Sequence, residues 1–369
     1  MQAPASTGKA QLAMWLINKI GILLIGLCSL RCTSPAKTTP KTAGVQVPTE
    51  WVEKVRHYDY KKDNLSLLKD FEQFIEPDTL DGASESLHLG KGLVEPRPAS
   101  SFTPLFVNLD EEPSEELIGV LRYARCKPML FVVKMIGSSW YLLHHESIFV
   151  HNEEPELLVA NSPSANKTFY VRALQESGSG IYRDSYRFYK LIDNKVVLCL
   201  EVPNEAKIYG WGLYLNQEVN LALRFASTGD DAIETLYKYS FFPGPVLAHD
   251  MSWSAHPEIY LVKGEGSAFY KWNASTMTYQ YETFGSESPD ELTKSKIATF
   301  GDFGNDSLFV RAYAYEIGEM LHEGTPVAKQ LLNAYLTAVK HGRKSTVHLE
   351  ELEEKKAMNG TRFYGPKPK

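Results

Sequence analysis

His249, Asp250 and His256 fall in one short aromatic stretch with Trp253 between them, the best polar cluster in the chain. Two imidazoles and a carboxylate in an aromatic loop could relay a proton or, with a further ligand, hold zinc. The spacing matches neither His-Glu-x-x-His nor a paired-cysteine site, so the simpler reading is a loop whose His and Trp side chains pack on the end of a sheet. No metal, catalytic residue or cofactor is therefore assigned. His249, Trp253, His256 and Trp211 are kept as the candidate ligand-binding residues.

Other chemistry-bearing residues carry less. Ser177-Gly178-Ser179-Gly180 lacks the leading glycine of a nucleophile elbow and precedes a strand-like run, so it reads as a corner. Gly264-Glu265-Gly266-Ser267 reads as a hairpin turn by the same argument. His144 and His145 are adjacent, so on a strand they face opposite sides and cannot ligate together. Glu176, Asp184, Glu201, Asp230 and Asp231 would serve glycoside hydrolysis only if two of them converged in space. Tyr209, Trp211, Tyr214, Trp253, Tyr260 and Trp272 could form a stacking platform for sugars, against the alternative of core and cross-strand pairing. No glycine-rich loop opens a helix, so nucleotide cofactors are not expected.

The elements that must position these residues are mostly strands. Leu105–Val107, Leu117–Tyr123, Met129–Ile136 and Trp140–Leu143 are short apolar runs joined by polar turns, the pattern of an antiparallel meander. The pattern recurs in Thr168–Leu174, Tyr182–Ile192 and Val196–Val202, with Asp193-Asn194-Lys195 as a hairpin turn. It recurs again in Val219–Ala226 and Ile233–Phe242, and in Glu258–Lys263, Ala268–Trp272 and Thr278–Glu282. Leu308–Tyr315 reads as one more strand. Strands at this spacing predict a mainly β fold, antiparallel meanders forming a propeller-like or sandwich body. Two helices interrupt the pattern. One is a short amphipathic segment through Leu65, Leu68, Phe71, Phe74 and Ile75. The other is a C-terminal helix opened by Thr325-Pro326, with Val327, Leu331, Leu332, Tyr335 and Val339 on one face and Gly342 as its stop.

Composition narrows the function classes. Setting aside Lys9, Lys19 and Arg31, 36 basic residues face 45 acidic ones, a net charge of −9. So acidic a chain has no electrostatic basis for nucleic-acid binding. With Cys28 and Cys32 in the N-terminal segment, only Cys126 and Cys199 remain. Both sit in strand-like runs and read as buried free thiols rather than a disulfide.

The N-terminal segment gives the clearest address. Lys19 precedes the apolar run Ile20–Leu30, which at ~16 Å as a helix is too short for a ~30 Å bilayer core and suits the hydrophobic region of a signal peptide. Met14 is a plausible start. Cys32 is followed by the polar tether Thr33-Ser34-Pro35-Ala36-Lys37-Thr38-Thr39-Pro40. The arrangement resembles bacterial lipoprotein signals. That resemblance implies acylation at Cys32, with Cys28 as the other candidate. Arg31 and Leu27 stand where the family prefers a small residue. Cleavage near Ala36 and an uncleaved anchor from Leu12 are the alternatives.

Phe106-Val107-Asn108-Leu109-Asp110-Glu111-Glu112-Pro113-Ser114-Glu115-Glu116-Leu117-Ile118 resembles the repeat unit of FG-GAP/VCBS-type β-propeller proteins, loosely echoed by 302–310. The family's loop alternates Asp or Asn with Gly around calcium. This one offers Asn108 and Asp110 without the glycine, and the alternative is an acidic β-turn. The resemblance implies an adhesion or interaction module.

The expected organisation is a signal peptide over 1–31, a tether over 32–48 and a short helix and loop segment over 49–101. A β-rich domain over 102–315, a C-terminal helical segment over 316–342 and a polar tail over 343–369 follow. The expected protein is a membrane-tethered, extracytoplasmic, non-catalytic binding or envelope-structure module with a lipid-anchored membrane association. A cell-surface glycan or a protein is its expected partner. The rival is a secreted glycan-acting hydrolase with an aromatic cleft.

Overall fold

The computed structural model describes residues 44–57, 101–122, 129–148, 157–161, 166–178, 180–210, 215–226, 231–244, 247, 259–282, 291–302 and 305–342. Among the described residues the fold is mainly β, with two antiparallel sheets and five helices. The first sheet is built from β1 (Val45–Val47), β2 (Ser101–Val107), β3 (Glu116–Arg122), β4 (Met129–Ile136) and β5 (Ser139–Ser147), in the order β1-β5-β4-β3-β2. The second is an eight-stranded meander in chain order. Its strands are β6 (Leu157–Val159), β7 (Thr168–Gly178), β8 (Ile181–Ile192), β9 (Lys195–Ile208), β10 (Leu215–Phe225), β11 (Ala232–Pro243), β12 (Val262–Asn273) and β13 (Thr278–Glu282).

The near-continuous apolar run of β4 is explained by burial on both faces. Met129, Phe131 and Val133 point to one side, against Trp51, Val52 and Val55 of helix α1 (Thr49–Arg56). Leu130 and Val132 point to the other, where Ile118 and Val120 of β3 meet Phe169, Val171, Tyr189 and Leu191 of the eight-stranded sheet. The first sheet is thus a middle layer between a helix and the second sheet.

Helices α2 (Glu291–Ile297), α3 (Asp306–Ala312), α4 (Ala314–Glu323) and α5 (Pro326–Lys340) follow the strands. Phe309, Tyr313, Ile317, Leu332 and Tyr335 close over Val219, Tyr237, Tyr239 and Phe241 on β10 and β11. The turn leading into α3 is clamped to the sheet. The Gln217 side chain accepts from the Gly301 N–H and donates to the Asp302 carbonyl, both at 2.9 Å.

Several expectations change. Residues 308–315 are helical: the Asn305 side chain accepts the Leu308 N–H and caps α3, and Phe309, Ala312 and Tyr313 share a buried face. Gly264-Glu265-Gly266 is no turn but the interior of β12, paired with Lys238, Tyr237 and Tyr239 of β11. The reason is space, since a Cβ on Gly264 would lie 2.7 Å from the Tyr239 hydroxyl. Val45–Val47, expected in the tether, pairs with β5 instead. The expected hairpin at Asp193-Asn194 is present, both residues taking positive φ (48° and 59°), and α5 starts at Pro326 behind the Thr325 cap. The segment around Leu65 to Ile75 and the tail beyond residue 342 lie outside the described residues.

Candidate functional site

The face of the eight-stranded sheet opposite Phe169 and Tyr189 carries an aromatic wall around a buried charge. Lys190 of β8 is 1% exposed, and its ammonium lies 2.7 Å from the Asp231 carboxylate. It also donates to the Asn166 carbonyl at 2.5 Å and sits 5.0 Å above the Trp272 ring. The Tyr279 hydroxyl donates to Asp231 at 2.7 Å and lies 2.7 Å from the Thr168 hydroxyl. One cluster therefore joins β7, β8, the entry to β11, β12 and β13, and draws the last strands over the first. Phe188 stacks on Tyr170 at 5.1 Å and Phe225 packs tilted against it at 5.4 Å, beside the cluster. Cys199, also buried here, is a free thiol whose pKa is pushed up to about 12 by burial. A thiol so protonated is a weak nucleophile.

Among the described residues, the carboxylates singled out for glycan chemistry each end on a basic group. Glu176 pairs with Arg183 at 3.2 Å, Glu201 with Arg187 at 3.3 Å and Asp231 with Lys190. Asp184 meets Arg172 at 2.5 Å, and Glu205 meets the same guanidinium at 2.8 Å. This pair does converge, but around Arg172, which fills the space that a glycosidic bond or attacking water would need. Asp184 is further spent on Tyr182, Asn204 and the Glu205 N–H.

The acidic turn between β2 and β3 closes on an ammonium. Lys134 of β4, 1% exposed, meets Asp110 at 2.6 Å, Glu112 at 3.2 Å and the Asn194 side-chain oxygen at 2.8 Å. Burial alone would lower the Lys134 pKa, but the bonds from Asp110 and Glu112 outweigh it and leave it raised. Among the described residues no three His, Cys, Asp or Glu side chains gather as metal ligands.

On β10, β11 and β12 the face opposite this aromatic wall offers an open groove of about 650 Å³. Its form follows from the strand register. Ala222, Leu236 and Ser267 align across β10, β11 and β12 as a low floor. Two residues along in one direction stand Asn220, Lys238 and Glu265, and two along in the other stand Arg224 and Glu234. At ~3.4 Å per residue the two walls are about 14 Å apart, and three strands give the groove a length of roughly 10 Å. The lining carries two cations, Arg224 and Lys238, and one anion, Glu265, with Glu234 beside Arg224 just outside it. Lys238 pairs with Glu265 at 3.0 Å and Arg224 with Glu234 at 3.8 Å, and Lys238, Glu265 and Arg224 are largely exposed. Such solvated pairs bind each other weakly and exchange readily for ligand groups.

Of the residues proposed from sequence, Tyr209 packs on Phe242 and bonds to Glu218, Tyr260 lies under the Lys263 ammonium, and Trp272 packs edge-on to Tyr279 inside the sheet. These three do not form one platform. Cys28, Cys32, Cys126, Trp211, Tyr214, Asp230, His249, Trp253 and His256 lie outside the described residues. The groove was missed because no local motif marks it: its residues come from three strands and meet through register alone. The two-residue alternation in Asn220-Leu221-Ala222-Leu223-Arg224 was the available signal. Among the described residues no helix is long and apolar enough to cross a membrane. No family model, curated protein or solved structure matches the chain.

Proposed function

We propose that this chain is a membrane-tethered, extracytoplasmic binding protein that holds its ligand in the transverse groove of β10, β11 and β12 without chemical turnover. The observation that carries this reading is the groove itself: a volume of about 650 Å³, in the range of small-molecule sites, on an exposed and rigidly paired sheet. Each cation of the lining is matched by a carboxylate, Lys238 by Glu265 and Arg224 by Glu234 just outside the groove, so the site favours a neutral ligand rich in hydrogen-bond donors and acceptors over a polyanion or polycation. The low floor suits the apolar edge of a sugar ring, and a cell-surface glycan is the ligand class to test first. Acylation at Cys32 supplies the tether and places the domain in the envelope of a bacterial cell. We take the body as sandwich-like, because one face of each sheet contributes to the core of Ile118, Val132, Phe169 and Tyr189.

The test is a screen of the full chain in detergent against neutral, anionic and cationic glycans, with product analysis of every ligand retained. Saturable binding of neutral glycans that are recovered intact is expected. Cleavage of a bound glycan would favour the hydrolase reading, and binding restricted to charged polymers would contradict the neutral groove.

A further inference from the structure

The loop between β2 and β3 is stitched to the eight-stranded sheet at two points. Leu109 is fully buried in the core shared by the two sheets, and its carbonyl accepts the Lys167 N–H at 2.8 Å, just ahead of β7. Lys134, held by Asp110 and Glu112, donates to Asn194 in the turn between β8 and β9. Between these stitches lies Glu116. Its side chain is 0% exposed, and Oε2 accepts the Leu109 N–H at 2.7 Å. Its other oxygen, Oε1, is buried with no hydrogen-bond partner among the described residues.

We propose that Glu116 is a proton-operated latch on the seam between the two sheets: neutral, it holds Leu109 and so keeps the loop docked; ionised, it lets the loop open. As an acid, the carboxyl accepts the Leu109 N–H and carries no net charge into the core. As a carboxylate, it places a charge with an unsatisfied oxygen in a dry site, and opening toward water relieves that penalty. The groups that face it set the balance. Asp110 opposes its charge and Lys134 favours it, while Glu112 also engages that ammonium at 3.2 Å. The outer end of the loop is held by Glu115 on Arg56 of α1 at 2.8 Å. The second sheet presents the Lys167 N–H to Leu109 and the neutral Asn194 side chain to Lys134. Burial, above all, lifts the Glu116 pKa from 4.5 to about 7, with Asp110 adding to the rise and the Leu109 N–H and Lys134 opposing it.

The sign follows from linkage. The docked loop binds the proton more tightly than the open one, so docking is strongest at low pH and weakens as pH climbs from the ordinary carboxyl value through about 7. The test is amide hydrogen exchange of Leu109 and Lys167 in the full chain, corrected for the intrinsic pH dependence of exchange. Between about pH 5.5 and about pH 8.5, opening should increase by about thirtyfold, while amides in the middle of β10 stay unchanged. In Glu116→Gln the increase should disappear. A change below about threefold in the wild type, or the same change in Glu116→Gln, overturns the proposal. If Glu116→Gln does not fold, Asp110→Asn decides: loss of the opposing charge should move the wild-type midpoint to lower pH, and an unmoved midpoint refutes the latch.

Discussion

Replacing Lys190 by Met should be among the most damaging single changes in the eight-stranded sheet. The ammonium is 1% exposed, forms an ion pair with Asp231 and donates to the Asn166 carbonyl, with the Trp272 ring 5.0 Å away. Met fills a similar volume, so the loss is electrostatic and not a cavity. It removes the ammonium from beside the Asp231 carboxylate, which keeps the Tyr279 hydroxyl as a donor. Breaking a buried pair from one side costs about 3–5 kcal/mol, because the surviving charge is uncompensated. For a domain of this size that is a fall in Tm on the order of 10 °C. Urea unfolding followed by tryptophan fluorescence and by circular dichroism should show a lower midpoint with the slope unchanged. Changing Asp231 to Leu in the same chain should restore much of the loss, since no charge is then stranded. If Lys190→Met costs below about 1 kcal/mol, or the double variant is worse than the single one, Lys190 and Asp231 do not clasp the sheet in the way described.

The elevated Glu116 pKa makes stability fall as pH rises. Its folded value of about 7 exceeds the ordinary 4.5, so its contribution is complete below pH 4.5 and lost through 7, a swing on the order of 3 kcal/mol that denaturant titrations at several pH values would read. Gly264→Ala should destabilise the protein by about 1–3 kcal/mol, since the new Cβ would meet Tyr239, whose hydroxyl reaches Glu316 at 3.2 Å. Thermal unfolding checks it, and a neutral effect would mean that Tyr239 is free to move aside. Cys32→Ala should abolish acyl labelling and release the chain from membrane fractions, whereas loss of label in Cys28→Ala alone would move the anchor.

What the sequence reveals and what it hides divide along physical lines. Local chemistry is legible: Asp193-Asn194 tolerates the left-handed conformation a tight hairpin needs, and Thr325-Pro326 opens a helix by capping and a preset φ. Local preference misleads where tertiary contact decides. Leu308-Phe309-Val310 has strand-forming residues, yet Asn305 caps it and the aromatic core under Phe309 and Tyr313 holds it helical. Gly264 looks like a turn residue but leaves room for Tyr239. The sites are the least legible, because they depend on register over long separations. Lys190 and Asp231 meet across strands far apart in the chain, and the groove floor draws one residue from each of three strands.

The groove is tested most directly by filling it. Ala222 is exposed on the groove floor and belongs to no ion pair or core cluster described above, so Ala222→Trp should occupy the volume without disturbing the sheet. Isothermal titration of a neutral glycan retained by the wild-type chain should show affinity at least about tenfold weaker in Ala222→Trp, a difference of about 1.4 kcal/mol, with thermal unfolding unchanged. Equal affinity in the two proteins would contradict binding in the groove of β10, β11 and β12.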